Sequence, residues 1–331
     1  MITVLGPTAT GKTILAAHLA SRLNGEIISA DSRQVYKKMN IGTGKDYEDY
    51  IVGKKKIPVH LIDIVEPGYK YNVFQFQKDF LKAYNKINKW DKLPVLCGGT
   101  GLYIEAVLKG YKLIEVPHNE KLRKDLKNKT QDELVNILSS LRSLHNTTDI
   151  LDRDRLVKAI EIATYHKEHP EIEHDFPKIQ TQIFGIHYER GVIRKRITER
   201  LEKRLAHGMI EEVEGLLGKN RVTVNPVHGT ANPVHNTVKK RATIPNRDTP
   251  HIVTPETLKN YGLEYRFITQ HVLGEINYNK MFQKLNTAIH QFAKRQMTWF
   301  RKMERNGFII TWINGELPLN NKIENIMSHI N

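Results

Sequence analysis

Cysteine is almost absent from the sequence. Cys97 is the only one among 331 residues, so the chain cannot form an internal disulfide or a zinc site built from cysteines. A small secreted scaffold held together by disulfides is therefore excluded. A reducing compartment fits this composition, and we expect the protein to be cytoplasmic.

Long apolar runs are also missing. No stretch approaches the roughly 18 consecutive apolar residues that suggest a membrane-spanning helix. Met1 leads directly into the first apolar stretch, so we also expect no signal peptide. The sequence therefore predicts no membrane partner.

Acidic residues are too few to balance the basic ones. The chain has 51 Lys and Arg against 36 Asp and Glu, which gives a formal net charge of +15 and a pI near 9.6. An excess of this size favours a polyanionic partner, and nucleic acid fits better than a membrane surface. A basic protein with no such partner is the alternative that charge alone leaves open.

The first motif is a glycine-bearing loop with the spacing G-x-x-x-x-G-K-T. Its residues are Gly6, Pro7, Thr8, Ala9, Thr10, Gly11, Lys12 and Thr13. An apolar stretch precedes it and a helical pattern follows, which is the context of a phosphate-binding loop. The glycines allow successive N–H groups to face one anion, Lys12 adds a positive charge, and Thr13 can hold Mg²⁺ at the helix N-terminus. The motif predicts a phosphate or diphosphate ligand without deciding between them.

The order of apolar and helical stretches predicts an α/β fold. Short apolar stretches suggest strands at residues 2–5, 26–30, 59–63, 94–97, 179–186 and 308–313. Helical patterns lie between several of them, as expected for parallel strands joined by crossover helices. The length suits one α/β domain of about 200 residues plus an addition. We predict a P-loop NTPase-like parallel sheet flanked by helices, with a helical insertion domain.

The character of the chain changes in two places. Residues 113–178 are Lys-rich and helical, without a core strand. We therefore predict a core domain from residues 1–112 and 179–331, interrupted by a helical insertion at 113–178. Within the core, residues 219–252 repeat Asn-Pro-Val-His and follow neither a helical nor a strand period. This composition predicts a disordered insert.

A basic helical stretch follows the strand predicted at residues 179–186. Its apolar residues recur every four positions, a spacing that would wind the apolar stripe around an unbroken helix, so we predict a break at Gly208. The other face carries positive charges at Arg190, Arg194, Lys195, Arg196, Arg200, Lys203 and Arg204. This charge exceeds what solubility requires, and we expect part of it to bind phosphate. Another helix is predicted from about residue 254 to residue 271.

Polar side chains follow the predicted strands at the edge where a parallel sheet binds ligands. Asp31 follows residues 26–30 and is expected beside the phosphate loop. It can accept a proton or bind Mg²⁺ through water, and a helix N-cap is the structural alternative. Asp63 is compatible with the magnesium-binding acid of an NTPase, which keeps a small-molecule kinase open. Thr100 offers a hydroxyl in the same crevice, although a plain turn explains it equally well.

Together these residues resemble the tRNA dimethylallyltransferase (tRNA isopentenyltransferase) family, bacterial type. The resemblance covers nearly the whole chain except residues 219–252. The motifs that carry it are Gly6 to Thr13, Asp31-Ser32-Arg33-Gln34-Val35-Tyr36, His60-Leu61-Ile62-Asp63, Gly98-Gly99-Thr100-Gly101-Leu102-Tyr103, Asp154-Arg155-Leu156 and Ala293-Lys294-Arg295-Gln296-Met297-Thr298-Trp299-Phe300-Arg301.

The resemblance implies an enzyme that transfers a dimethylallyl group from dimethylallyl diphosphate to the exocyclic amine of the adenosine 3′ of the tRNA anticodon, position 37. The phosphate loop, residues 6–13, would hold the diphosphate rather than ATP, with Arg200 as a clamp on its second side. Mg²⁺ would be the cofactor and Thr13 its protein ligand. Asp31 would be the general base and Thr100 would contact the reacting region.

The resemblance also implies two segments that grip the anticodon stem-loop of tRNA. They comprise Asp31, Ser32, Arg33 and Gln34 with Thr100, and Asp154, Arg155, Leu156, Val157 and Lys158. We expect the protein to act as a monomer.

The chain departs from the family pattern at several positions. Gly44-Lys45-Asp46 stands where many members have Ala-Lys-Pro, Lys158 where arginine is usual, and Ile289-His290 where Thr-Arg is common. Residues 219–252 have no counterpart in a typical member. An inactive tRNA-binding relic is therefore a further alternative, besides the kinase.

Overall fold

The computed structural model describes residues 1–142, 152–170, 176–218, 247–248 and 253–330. The insert expected to be disordered, 219–252, lies outside the described residues apart from 247 and 248. The chain divides into two compact units, Met1–Lys109 with Ile179–Asn331, and Gly110–Lys178.

Strands and helices alternate along the first unit. The strands are β1 Ile2–Leu5, β2 Gly25–Ala30, β3 Ile51–Val52, β4 Lys55–Lys56, β5 Val59–His60, β6 Leu93–Gly98, β7 Gln182–His187 and β8 Ile310–Asn314. The α-helices among the described residues of both units are α1 Lys12–Arg22, α2 Val73–Lys89, α3 Gly101–Leu108, α4 Glu120–Leu126, α5 Gln131–Leu141, α6 Arg153–Glu168, α7 Arg190–Ala206, α8 Met209–Gly218, α9 Pro255–Leu258, α10 Leu263–Val272, α11 Tyr278–Arg305 and α12 Leu319–Met327.

Six strands form one sheet in the order β5-β2-β6-β1-β7-β8. Every neighbouring pair in it is parallel. All residues of β1 and β2 are buried, as expected of strands that helices cover on both faces. The predicted parallel sheet flanked by helices is confirmed. Strands β3 and β4 form a separate antiparallel hairpin, which the sequence analysis missed.

Among the described residues of the first unit, two of the apolar clusters position the elements around the phosphate loop. One packs α1 and α12 against the sheet, with Val4, Leu19 and Phe184 at its centre. The other joins residues 35–39 to helices α7, α8, α10 and α11 through buried side chains that include Leu201 and Tyr265. The second cluster fixes α7 beside the phosphate loop, because Ala9 also packs against it.

Backbone conformation explains where the predicted boundaries were wrong. The strand expected at 59–63 ends at His60, because Leu61 and Asp63 have φ values of 65° and 54° that no strand continues. The helix expected over 254–271 is two helices, separated at Gly262, where φ is 149°. The break at Gly208 is confirmed, with φ of 92°.

The second unit is helical and has its own core. Leu126, Leu134, Leu138 and other apolar residues of α4, α5 and α6 pack together. Glu161 is also buried there, and its carboxylate accepts hydrogen bonds from Arg123, Lys158 and the Asn119 N–H. Burial alone would raise the pKa of Glu161, but these donors lower it to about 2. The buried charge is therefore fully partnered.

Across the described ranges, helices are too short or too polar to span a membrane.

The contact between β2 and β6 yields a test of the sheet. A Cβ at Gly98 would lie 2.2 Å from the carbonyl oxygen of Ala30, so we expect Gly98→Ala to lower the free energy of unfolding by about 1–3 kcal/mol through overpacking. Gly191→Ala is the matched control, because a Cβ there meets nothing within 4 Å. Denaturant unfolding of both variants measures the difference, and equal stabilities would contradict the close approach.

Candidate active site

The phosphate loop curls between β1 and α1 through two residues with positive φ. Ala9 has φ of 64° and Gly11 has φ of 77°. The Thr10 hydroxyl donates to the Pro7 carbonyl at 2.9 Å and braces the turn from inside. A side chain at Gly6 would approach the Thr10 hydroxyl to 3.0 Å. Helix α1 starts at Lys12, so the loop presents the N-terminus of a helix to an anion.

Gln296 ties this loop to the end of β6. Its side chain accepts from the Thr8 N–H at 2.9 Å and donates to the Gly99 carbonyl at 2.7 Å. The side chain is buried on α11 between Ala293 and Phe300, which are also buried. Sequence reasoning assigned Gln296 no role. The sequence offered one signal for a role of Gln296, since it is a polar residue on the apolar face of the helix.

Lys12 points into the same corner. Its ammonium lies 3.4 Å from the Pro7 carbonyl oxygen. Burial lowers the pKa of Lys12, and the nearby groups of Cys97 and Asp31 act in the opposite direction. Burial also raises the pKa of the Cys97 thiol to about 12, so this cysteine stays protonated and unreactive at neutral pH. Thr13, the predicted magnesium ligand, follows Lys12 in α1 and is partly buried.

Asp31 lies at the carboxyl end of β2. Its Oδ1 accepts from the N–H groups of Arg33 at 2.8 Å and Gln34 at 3.4 Å. No helix begins here, because residues 32–35 form turns, so the helix N-cap alternative is wrong, and Asp31 instead caps this turn. Among the described residues, the second oxygen, Oδ2, accepts no hydrogen bond. A proton acceptor thus remains at the sheet edge alongside the cap.

Thr100 joins the ends of two strands at this edge. Its hydroxyl accepts from the Ser32 N–H at 3.1 Å, and its own N–H donates to Ala30 at 3.2 Å. Gln34 is buried and donates to the Gly44 carbonyl at 2.9 Å, so it supports the neighbouring loop. Arg33 is exposed.

Three arginines of α7 face the phosphate loop at four-residue intervals. Arg196 donates to the Ala9 carbonyl at 3.0 Å. Arg200 donates to the Thr8 hydroxyl at 3.2 Å. Arg204 lines a cleft together with Arg200, Thr8 and Ala9. The structure thus brings Arg200 to the phosphate loop, and it adds Arg196 and Arg204, to which the sequence analysis gave no individual role.

A second loop, residues 40–46, faces the arginines and is held by one carboxylate. Glu212 accepts from the N–H groups of Asn40 at 2.8 Å, Ile41 at 2.7 Å and Gly42 at 3.0 Å. The Tyr265 hydroxyl donates to the same carboxylate at 2.6 Å. Four donors on one carboxylate fix the position of this loop. Sequence reasoning missed Glu212 because its partners are about 170 residues away.

Asp63 is already engaged by its neighbours. The Lys45 ammonium and the Tyr47 hydroxyl both donate to its carboxylate. Lys45 is buried, which lowers its pKa, and Asp63 counteracts that effect. One oxygen of Asp63 therefore forms an ion pair with Lys45, and the other accepts from the Tyr47 hydroxyl.

The second tRNA-binding segment predicted from the sequence lies in the helical unit. Asp154 and Arg155 are exposed, and Val157 is partly buried. Leu156 is fully buried in the core of the unit. Lys158 donates to Glu161 at 2.7 Å. The exposed members of this segment are the ones available for contact with a ligand.

Two family models match the chain. The model described as IPP transferase matches residues 34–303, and the model described as Isopentenyl transferase matches residues 1–66. The chain is 49% identical to tRNA dimethylallyltransferase 2 of Phocaeicola vulgatus over 99% of this chain and 96% of that protein. It is also 49% identical to tRNA dimethylallyltransferase 1 of Parabacteroides distasonis over 100% of this chain and 97% of the relative.

Solved structures agree with these matches. The tRNA isopentenylpyrophosphate transferase of Bacillus halodurans superposes with a TM-score of 0.63 at 26% identity, covering 99% of this chain and 94% of its own. A eukaryotic dimethylallyltransferase acting on tRNA superposes with a TM-score of 0.70 at 20% identity, covering 95% of this chain and 73% of its own. At 20% identity, the match to the eukaryotic enzyme supports the fold alone.

The environment of the Asp49 carboxylate can be tested through the pH dependence of stability. Burial and the nearby Asp46 raise the pKa of Asp49 to about 6, above the unfolded value of about 3.9. The folded protein therefore binds this proton more tightly than the unfolded chain, and stability is lost as pH rises from about 4 through about 6. We expect the unfolding temperature of Asp49→Asn, relative to the unmodified protein, to increase over that range and then level off.

Thermal unfolding at a series of pH values measures this difference. Glu48→Gln removes a neighbouring carboxylate from an exposed side chain and is the matched control. The same pH-dependent gain in both variants would show that the effect does not arise from the environment of Asp49.

Proposed function

The chain belongs to the IPP transferase family, and we propose that it transfers a dimethylallyl group from dimethylallyl diphosphate to adenosine 37 of tRNA. The acceptor is the exocyclic amine, and the product is N6-(dimethylallyl)adenosine. One observation carries the proposal: the phosphate loop with Lys12 and Arg200 shares one sheet edge with Asp31 and Thr100. An anion site and a free carboxylate oxygen are thus adjacent.

The reaction needs little beyond positioning and charge. The adenine amine attacks the allylic carbon, the carbon–oxygen bond to the diphosphate breaks, and the amine proton passes to Asp31. Lys12, Arg200 and the loop N–H groups bind the departing diphosphate where its charge develops. Gln296 holds the loop against the end of β6, which keeps these groups in position.

The donor set in this corner fits Mg²⁺ bound together with the substrate. Across the described ranges, no group of three or more His, Cys, Asp or Glu side chains is arranged to hold a metal ion. Mg²⁺ is commonly held by one or two protein groups plus substrate phosphates and water. The Thr13 hydroxyl would be its protein ligand here. When bound, the ion would offset negative charge on the diphosphate.

Recognition of tRNA would rest on shape and on positive charge. Extracting adenosine 37 from its stack costs a few kcal/mol, which contacts to the surrounding stem-loop offset. Residues 31–34 and the exposed side chains of 154–158 would supply such contacts, together with the net charge of +15. Such a reaction on tRNA fits a cytoplasmic protein acting as a monomer.

The kinase alternative is not favoured. It requires Asp63 to bind Mg²⁺, whereas Lys45 and Tyr47 occupy that carboxylate. It also leaves the net charge of +15 and the basic residues of α11 without a role. The inactive relic is not favoured either, because the chain is 49% identical over nearly its whole length to proteins named tRNA dimethylallyltransferase. A relic would bind tRNA without prenyl transfer, so the activity of the unmodified protein tests this alternative.

Two substitutions of Asp31 separate its cap from its function as a base. Asp31→Asn keeps an oxygen for the Arg33 N–H but cannot take up the amine proton, and Asp31→Ala loses both. We expect both variants to lower single-turnover prenyl transfer by about 10² to 10⁴-fold. The Kd for tRNA should stay nearly unchanged, because removing one carboxylate from a basic surface does not weaken its hold on a polyanion. Near-normal turnover in Asp31→Asn with loss only in Asp31→Ala would reduce Asp31 to a cap.

Lys12 tests the diphosphate assignment. Lys12→Ala removes a charge-assisted contact of about 1.5–3 kcal/mol, so kcat/KM for dimethylallyl diphosphate should fall by about 10- to 150-fold. Lys54→Ala is the control, because it removes the same positive charge from an exposed side chain. Initial rates measure the loss, and excess ATP should compete poorly in the unmodified protein. Equal rates in both variants would remove Lys12 from the donor site.

A further inference from the structure

An aspartate occupies the arginines beside the phosphate loop. Asp46 Oδ2 accepts from Arg200 Nη2 at 2.7 Å and lies 3.5 Å from Arg204 Nη2. Through Nη1 the same Arg200 guanidinium contacts the Thr8 hydroxyl of the phosphate loop. The carboxylate therefore binds the arginine that the proposed function assigns to the diphosphate.

Arg204 has binding capacity that this carboxylate does not use. Its side chain is 14% exposed, its contact to Asp46 is the longer one, and its buried Nε has no hydrogen-bond partner in the described part of the chain. Burial lowers the pKa of Arg204, and the like charge of Arg200 lowers it further. A buried guanidinium with an unused donor gains most from an anion richer in oxygens than one carboxylate.

The surroundings of the pair form a cleft open to the phosphate loop. Arg200, Arg204, Thr8, Ala9 and Glu264 line it. Glu264 brings a second carboxyl group, but burial raises the pKa of Glu264, which weakens it as a counter-ion for Arg204. In the described part of the chain, Asp46 is therefore the carboxylate that hydrogen-bonds these arginines, whereas Asp49 acts on them through its charge.

Asp46 is the most exposed of the three partners. Its side chain is 44% exposed, whereas the side chains of Arg200 and Arg204 are 33% and 14% exposed. The arginines are fixed by α7, whose Ile197, Leu201 and Leu205 are buried. A rotation of Asp46 toward solvent would free two guanidinium groups without disturbing the apolar core.

We propose that the diphosphate displaces Asp46 from Arg200 and Arg204, so that Arg204 is a second diphosphate-binding arginine and Asp46 an affinity-setting residue. The inference rests on the proposed function. In the donor-free protein Asp46 neutralises the arginines. After prenyl transfer it competes with the diphosphate product for the same donors, which speeds product release and limits donor affinity.

The test uses inorganic pyrophosphate with Mg²⁺ as the probe, in calorimetric titrations of the full chain without tRNA. We expect Asp46→Asn to bind pyrophosphate more tightly by up to about 5-fold, the upper end for a solvent-accessible ion pair. Arg204→Gln should weaken binding by about 10-fold or more. In the Asp46→Asn, Arg204→Gln double variant the gain from replacing Asp46 should shrink, because the two side chains share one interaction.

Matched variants separate displacement from general charge and from folding. Glu48→Gln removes a carboxylate from the same exposed stretch and should change the pyrophosphate Kd by less than about 2-fold. Asp46→Ser serves if Asp46→Asn is unstable. In steady state, the KM for dimethylallyl diphosphate and the inhibition constant of pyrophosphate should both fall in Asp46→Asn. A structural role for Asp46 would instead raise them.

Unchanged or weaker pyrophosphate binding in both Asp46 variants would overturn the inference, as would failure of all proteins to bind pyrophosphate. Neither result touches the proposed function, because prenylation of tRNA by the unmodified protein is scored separately. Conversely, tighter pyrophosphate binding in the variants without any prenyl transfer would support the displaceable aspartate and reject the proposed reaction.

Discussion

Concentration of positive charge at one edge of a parallel sheet is the constraint on which the rest of the structure depends. Four cationic side chains converge on the phosphate loop: Lys12, Arg196, Arg200 and Arg204. Holding like charges together costs free energy, so they must be fixed by packing. The apolar cluster beneath α7 does this for the arginines, and the backbone of α1, which begins at Lys12, does it for Lys12. A bound diphosphate would offset the repulsion among these four positive charges.

The supports of this edge connect distant parts of the chain. Gln296 joins the phosphate loop to the end of β6, and Glu212 fixes residues 40–46 opposite α7. Within that second loop, a Cβ at Gly44 would lie 2.0 Å from Arg204 Nη2. Two departures from the family pattern therefore share one explanation, since Gly44 leaves space for Arg204 and Asp46 supplies its counter-charge.

Local patterns predicted what depends on local chemistry. The phosphate loop, the buried strands and the break at Gly208 follow from spacing and from apolar content. The end of the strand at His60 could not be predicted in this way, because Leu61 and Asp63 have positive φ although neither is glycine. The hydrogen-bond partners of Asp63 could not be predicted from the sequence either. Its sequence position suits a magnesium ligand, and only the fold reveals that Lys45 occupies it.

The central claim is that the phosphate loop serves a prenyl diphosphate whose acceptor is a tRNA base. Unmodified tRNA incubated with the protein, dimethylallyl diphosphate and Mg²⁺, then digested and examined by mass spectrometry of its nucleosides, tests it most directly. We expect N6-(dimethylallyl)adenosine at position 37, formed with the prenyl donor and not with ATP in its place. Absence of prenylated adenosine, together with magnesium-dependent phosphate transfer from ATP, would contradict it.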